Sequence, residues 1–128
     1  MSKLVIQDIQ DGVAATLATA GVECHYMEAP DGKARPYTVF IVEAEPVRTM
    51  AGLTGWEITA EIHAYAATAG ATYSLMASIK SALDGAKPTL TSHALADALR
   101  LSSMATRISE ATGSIVGVLT FTAHAAAS

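Results

Sequence analysis

Residues 56–66 read WEITAEIHAYA, and apolar and polar side chains alternate through the whole stretch. Successive side chains of a β-strand point to opposite faces of a sheet, so strict alternation predicts a strand. The even-numbered residues from Trp56 to Ala66 form an apolar face, and the odd-numbered residues from Glu57 to Tyr65 form a polar face. A strand of this length in a small chain is expected at the centre of an antiparallel sheet, with one face toward the core and the other toward water.

A second strand is predicted at Tyr37–Glu45, where β-branched and aromatic residues are frequent. Between the two strands, residues Pro46 to Gly55 include one proline and two glycines. Both residue types interrupt regular structure, so we expect a long hairpin connection rather than a tight turn. The apolar residues of this connection are expected to be partly exposed.

Two helices are predicted from apolar residues that recur at spacings of three and four. The first runs from Ser2 to Ala20 and ends at Gly21, while Gly12 inside it indicates a break or close packing. The second runs from Thr72 to Leu83 and is followed by an Asp-Gly pair. One further helical turn is expected over Ser92–Ala98.

The remaining elements are strands. Val22–Tyr26 alternates over a short length, and Leu99–Ala105 and Ser114–His124 form a closing antiparallel pair. This order of elements predicts an α+β fold, with a mainly antiparallel sheet of four to five strands and two helices packed on one face. The other face of the sheet is expected to be uncovered. Residues 1–128 form a single domain in this interpretation.

Composition excludes several classes of function. No run of apolar residues approaches the roughly 18 to 20 that a membrane-spanning helix needs, and the first residues do not resemble an export signal. We therefore expect a cytoplasmic protein with no membrane contact. Twelve acidic residues against eight basic ones give a net charge of −4, and no basic stripe is present to grip phosphates. Only 16% of the residues are charged, which favours contacts with protein partners.

Residues that could carry chemistry are few and scattered. Cys24 is the only cysteine, so it is interpreted as a small core residue, and the four histidines show no metal-ligand spacing. Glu57 and Glu61 could form an acid/base pair, but a polar stripe on one strand face is the simpler interpretation. We predict no catalytic residue, no cofactor-binding residue and no metal ligand.

Several features in their order resemble the tail-terminator, or tail-completion, family of long-tailed phages, prophages and gene transfer agents. The resemblance spans nearly the whole chain and rests on architecture and spacing rather than on a catalytic signature. It departs at Arg107–Gly113, where relatives often carry an acidic, aromatic-rich hairpin. The segments that carry it are the opening helix, Val22–Tyr26 with Ala29-Pro30, Arg35–Phe40, Glu61–Ala66, Ser78–Gly85 and the last strand from Gly113 to His124.

The resemblance implies a homo-oligomer, a hexameric ring that caps the tail tube and joins it to the head connector or stopper protein. DNA would pass through the ring without specific binding. The protein would lie in the virion tail at the head-tail junction, after assembly in the host cytoplasm. Two sets of residues are expected to serve this role. Val47, Arg48, Met50 and Leu53 would contact a neighbouring subunit or the tube, and Glu43, Glu45, Glu57 and Glu61 would face the channel.

Other interpretations stay open on the sequence alone. The glutamates also fit an ordinary solvated sheet face, because acidic residues belong in water in any protein. A small cytoplasmic ligand-binding or regulatory domain would use the uncovered sheet face and Trp56 to frame a pocket. A third possibility is an enzyme whose site is completed only between subunits.

Overall fold

The structure is a computed structural model that describes residues 4–26, 37–49, 52–108 and 115–126. Its single sheet has the strand order β1-β2-β3-β5-β4, in which β1 is parallel to β2 and all other neighbours are antiparallel. The predicted α+β class is confirmed. The elements are α1 Val5–Thr19, β1 Cys24–Tyr26, β2 Tyr37–Thr49, β3 Gly52–Tyr65, α2 Ala69–Leu83, β4 Arg100–Ile108 and β5 Ile115–Ala126.

The main core lies between the two helices and one face of the sheet. Helix α1 packs on β1 and β2, and helix α2 packs on β3, β5 and β4. The even-numbered residues of β3 face this core, because Ile58 and Ile62 are fully buried and Trp56 packs against the same cluster. This confirms the predicted faces of the central strand. Apolar burial of this kind provides most of the stability of a small domain.

The prediction of a long connection over Pro46–Gly55 is wrong. Strand β2 continues to Thr49 and β3 begins at Gly52, so most of this segment is a paired ladder. Pro46 is tolerated because β1 covers β2 only as far as Phe40, so a backbone donor is not needed on the outer side there. At Gly55 a side chain would meet the Ala125 carbonyl oxygen at 2.6 Å, so glycine permits close approach of β5. Residues 50 and 51 lie outside the described residues.

Both helices follow their predicted stripes with small changes at the ends. Gly21 adopts φ +79° and ends α1, and a side chain at Gly12 would lie only 3.0 Å from Leu90, which confirms close packing there. Helix α2 begins at Ala69, where the Thr68 hydroxyl accepts the Ala71 N–H at 3.1 Å. Neither of the described helices is long and apolar enough to cross a membrane. The predicted start at Ser2 falls outside the described residues.

The predicted helical turn at Ser92–Ala98 is wrong, because this segment pairs with the end of β5 instead. Ala96 N–H donates to the His124 carbonyl at 2.7 Å, and Leu95 forms an isolated bridge with Ala125. The closing strands are confirmed, although β4 extends to Ile108. The connections from β1 to β2 and from β4 to β5 lie outside the described residues.

One buried carboxylate ties the segment before β4 to α1. Asp8 is 1% exposed and accepts hydrogen bonds from the backbone N–H groups of Thr91 at 2.9 Å and Ser92 at 2.7 Å. The Thr91 hydroxyl donates to Asp8 Oδ1 at 3.0 Å, and His93 Nδ1 lies 3.0 Å from Asp8 Oδ2. Burial alone would raise the pKa of Asp8, but these hydrogen bonds outweigh it and hold the pKa far below its usual value. We call this set the Asp8 cluster.

A buried hydroxyl on β2 provides a stability prediction. Thr38 is fully buried, and its Oγ1 finds no hydrogen-bond partner among the described residues. We expect Thr38→Val to raise the free energy of unfolding by about 1 kcal/mol, because it removes a desolvated hydroxyl and keeps the shape. Urea unfolding would measure the change. Thr59→Val, on the partly exposed opposite face, is the matched control and should change little. A less stable Thr38→Val protein would contradict the prediction.

Candidate assembly surfaces

Four glutamates lie on the sheet face opposite the helices, on the central strands β2 and β3. The antiparallel register places Glu45 directly opposite Glu57, and Glu43 opposite Thr59. Glu61 follows two residues after Thr59 and therefore points to the same side. We call Glu43, Glu45, Glu57 and Glu61 the acidic face.

The acidic face includes a pair of like charges on neighbouring strands. Carboxylates directly opposite one another on neighbouring strands repel, and Glu45 and Glu57 form such a pair. Glu61 lies beside a histidine on the same strand, with its Oε1 2.6 Å from His63 Nε2. A cavity of about 170 Å³ lies on this face. Its lining residues are Ile41, Glu43, Thr59 and Glu61.

Two arginines lie on the same side of the sheet as the acidic face, at its β4 edge. Arg100 and Arg107 of β4 pair with Thr122 and Val116 of β5. These two β5 residues pair in turn with odd-numbered residues of β3, so both arginines lie on the same side of the sheet as the glutamates. Both arginines are exposed. They lie at the β4 edge, with β5 between them and the glutamates of β3. The face is therefore negative over its centre and positive along one border.

The same face is also not uncovered throughout. Val39, Val116 and Val118 lie on it and are only 8%, 7% and 5% exposed. Next to them, the rings of Tyr37 and Tyr65 stack with centroids 5.0 Å apart. One end of the face is thus a second small apolar cluster, and the other end is acidic.

The second predicted set of contact residues lies around the tip of the β2–β3 hairpin. Val47 is 38% exposed and Arg48 is exposed, at the point where the ladder becomes irregular. Met50 lies outside the described residues. Leu53 belongs to β3, but its side chain is not among those the structure describes. Val47, Arg48 and Leu53 therefore lie on paired strands rather than on a loop, and the contact role of the set stays a prediction.

Sequence reasoning missed the outer surface of β4. From Ser102 to Ile108 every residue of this strand is exposed, on both faces. Ile108 is 73% exposed and Met104 is 48% exposed, although both lie on the helix side of the sheet. Leu101, Met104 and Ile108 are spaced by three and four residues, so the apolar pattern did not show the alternation that would have placed one face outward.

An apolar groove runs between β4 and α2. It encloses about 440 Å³. Met76 forms its floor, where it lies so close to Gly117 that any side chain there would overlap it. Tyr73 on α2 is 55% exposed beside it. The groove is lined by Tyr73, Met76, Ala77, Lys80, Met104, Ala105 and Thr106.

The side chains that could carry chemistry do not form a reactive group among the described residues. Cys24 is half-buried, and burial together with the nearby Glu23 charge raises the pKa of its thiol, which opposes reactivity. His124 Nδ1 lies 3.0 Å from the Asp97 carboxylate. Among the described residues, no group of three or more histidine, cysteine, aspartate or glutamate side chains could hold a metal ion.

Comparison with known proteins gives the family. The profile of the family described as "Tail completion protein gp17" matches residues 10–125. The chain belongs to the tail completion family. Membership places it among the structural proteins of virion tails, as the sequence resemblance predicted. No protein of curated function matches the chain.

A solved structure with the same fold supports the architecture of this tail completion protein. A chain from the structure titled "Virion of native gene transfer agent (GTA) particle" superposes with a TM-score of 0.73 at 20% sequence identity. The match covers 98% of this chain and 100% of the other. At this identity the likeness concerns the fold, including the five-stranded sheet with helices on one side.

Proposed function

We propose that the chain is the ring-forming subunit that caps the tail tube, ends its elongation and joins the tail to the head connector or stopper protein. The observation that carries the proposal is the match of the tail completion profile to residues 10–125. The ring would be a hexamer at the head-tail junction, assembled in the host cytoplasm. Such a role needs contact surfaces rather than catalytic groups, and the exposed groove, the β4 edge and the acidic face are surfaces of this kind.

The ligand-binding alternative has less support. Trp56 packs against the core on the helix side of β3, so it cannot frame a pocket with the acidic face. The cavity on the acidic face is small and bordered by two carboxylates, whereas small-molecule sites are usually larger and mostly apolar. The groove beside α2 is apolar but lies open along the sheet edge, as expected for a protein contact.

Deletion of the coding sequence, with complementation from a plasmid, tests the proposed function. Without the protein we expect DNA-filled heads and tails that are separate or of abnormal length, seen by negative-stain electron microscopy. Complementation with the intact chain should restore joined particles. Joined particles with normal tails in the deletion strain would overturn the proposal.

The acidic face is proposed to line the channel through which DNA passes. Repetition of four carboxylates in each subunit around a ring would create a negative wall that repels phosphate, and a narrow channel would focus this field. DNA would then slide through without binding. At physiological ionic strength, salt would screen the repulsion between wall and phosphate at separations beyond about 8 to 10 Å.

Reversal of charge at two positions tests the channel role. We expect Glu57→Lys with Glu61→Lys to preserve the melting temperature and the oligomeric state but to lower particle titre at least about tenfold, because lysines would hold DNA phosphates. Glu57→Gln with Glu61→Gln should have an intermediate effect.

A control with lysine on the helix side separates channel charge from net charge. Ser78 is exposed on α2, so Ser78→Lys adds positive charge away from the acidic face and should leave the titre unchanged. An unaltered titre for the double lysine variant would rule out the channel role.

A further inference from the structure

The sheet ends in two strands whose outer sides pair with nothing in the described part of the chain. These are β1, with three residues, and β4, with nine. Natural sheets protect such edges with proline, bulges or a covering element, because an open edge recruits another strand. Strand β4 has one irregularity, between Leu101 and Ser103, and no proline. Beyond it, residues 104–108 present a regular, exposed edge.

The directions of the two edge strands suit one another. Strand β1 is parallel to β2, and three antiparallel steps from β2 through β3 and β5 lead to β4. Strand β4 therefore runs antiparallel to β1. A second copy placed beside the first with its strands in the same direction would bring its β1 against β4 as an antiparallel pair. Repetition of this step is a head-to-tail contact, which closes into a ring when each step adds the required rotation.

Charge on the two edges is complementary. On the same side of the sheet as the acidic face, β4 carries Arg100 and Arg107. At the opposite end of the sheet, Glu23 and His25 lie on the same face, with His25 Nε2 3.1 Å from the Glu23 carboxylate. The neighbouring strand β2 adds Glu43. A head-to-tail contact would place the arginine border of one subunit beside the acidic border of the next.

The helix layer continues in the same way. Helix α1 covers β1 and β2, whereas the groove lies beyond α2 at the β4 end. Addition of a second copy at β4 would bring its α1 over the groove. Met104 and Tyr73, which are 48% and 55% exposed in the single subunit, would then be covered. Burial of exposed apolar side chains is the main source of association free energy.

We propose that the outer edge of β4 pairs with β1 of a second copy of this chain, and that the groove beside α2 receives the α1 helix of that copy. The inference rests on the ring in the proposed function and names the surfaces that form it. One continuous sheet would run around the ring, with the acidic face of every subunit on the same side.

Disulfide trapping tests the contact. In a Cys24→Ala background, His25→Cys on β1 is combined in turn with Ser103→Cys, Ala105→Cys or Arg107→Cys, which share its face of the sheet. Directly opposed residues in an antiparallel pair are close enough for a disulfide. We expect at least one pair to give, on mild oxidation, a ladder of covalent oligomers that ends in a closed ring.

Matched controls make the result specific. Each single-cysteine variant should give no ladder, and His25→Cys with Thr106→Cys, on opposite faces, should give none either. A dimer from a β4 single-cysteine variant would show β4 against β4 and overturn the proposal. Native mass spectrometry that finds a ring while no pair cross-links would also overturn it, but would leave the proposed function intact. The deletion strain tests the proposed function, whereas the cross-linking tests only the contact between subunits.

A charge in the groove provides a second measurement. Met104→Glu places a carboxylate where the neighbouring helix would pack, and its half-exposed position should leave the melting temperature unchanged. We expect at least about tenfold more protein to be needed for ring assembly, measured by light scattering over a dilution series. Ring assembly at the same concentration as the unmodified protein would contradict the groove contact.

Discussion

The Asp8→Ala substitution is expected to lower the free energy of unfolding by about 3 to 5 kcal/mol relative to the unmodified protein. This loss is enough to leave a domain of this size barely folded. Its carboxylate accepts two backbone N–H groups, from Thr91 and Ser92, and a side-chain hydroxyl from Thr91. Removal of a buried acceptor leaves these donors desolvated and unpaired. Urea unfolding followed by circular dichroism would measure the loss.

Asp8→Asn is the matched control for shape. The amide keeps one acceptor oxygen but brings two donors toward groups that already donate, so we expect an intermediate loss. Asp11→Ala, at an exposed position on the same helix, should cost far less. Equal stability of the Asp8→Ala and Asp11→Ala proteins would show that the Asp8 cluster does not hold the segment before β4.

The Asp8 cluster predicts that the protein loses stability in acid. The pKa of Asp8 is lower in the folded protein than in the unfolded chain, so its contribution is fully present above the unfolded pKa of about 3.9. The contribution is lost as pH falls below that value. The unmodified protein should therefore lose stability steeply below about pH 4, whereas the Asp8→Asn protein should show a shallower decline. Parallel pH profiles would contradict this assignment.

The second large effect is expected at the centre of the sheet, where Ile62→Ala should lower the free energy of unfolding by about 2 to 5 kcal/mol. Ile62 is fully buried between the sheet and the helices, so truncation removes apolar contacts and leaves a cavity. A thermal melt with calorimetry would measure the change.

Ile41→Ala is the control for Ile62→Ala, because both remove the same atoms from the β2–β3 pair. Ile41 lies on the opposite face of the sheet and is 37% exposed. We expect it to cost less than half as much. Equal losses for the two variants would mean that both faces of the hairpin are buried to the same degree.

The sequence predicted the parts of the fold that depend on local periodicity. Alternation over Trp56–Ala66 identified β3 and its two faces, since one apolar and one polar face require that pattern. The paired ends of β2 and β3 are not predicted, because proline and glycine, here Pro46 and Gly55, usually interrupt strands. Pro46 is allowed because β1 does not pair with β2 at that point, and Gly55 is needed because a carbonyl oxygen of β5 lies close to it. Neither of these tertiary contacts can be predicted from the sequence.

The candidate surfaces were only partly predictable for a similar reason. The acidic face could be predicted because its members follow the alternation of β2 and β3. The groove and the β4 edge depend on how far α2 reaches across the sheet, which is a tertiary property. Asp8 did carry a signal, because it shares the buried stripe of α1 with Val5 and Ile9, and a carboxylate in such a stripe needs partners.

Core and acidic face are carried by the same two strands at alternate positions, and this has a consequence for how the protein can vary. Substitution at a glutamate of the acidic face can change the charge of that face without disturbing the packing beneath it. Insertion or deletion of a single residue within either strand would instead exchange the two sets, moving glutamates into the core and isoleucines outward. Strand length in this hairpin is therefore tightly constrained, while the charge of its outer face can change without loss of the fold.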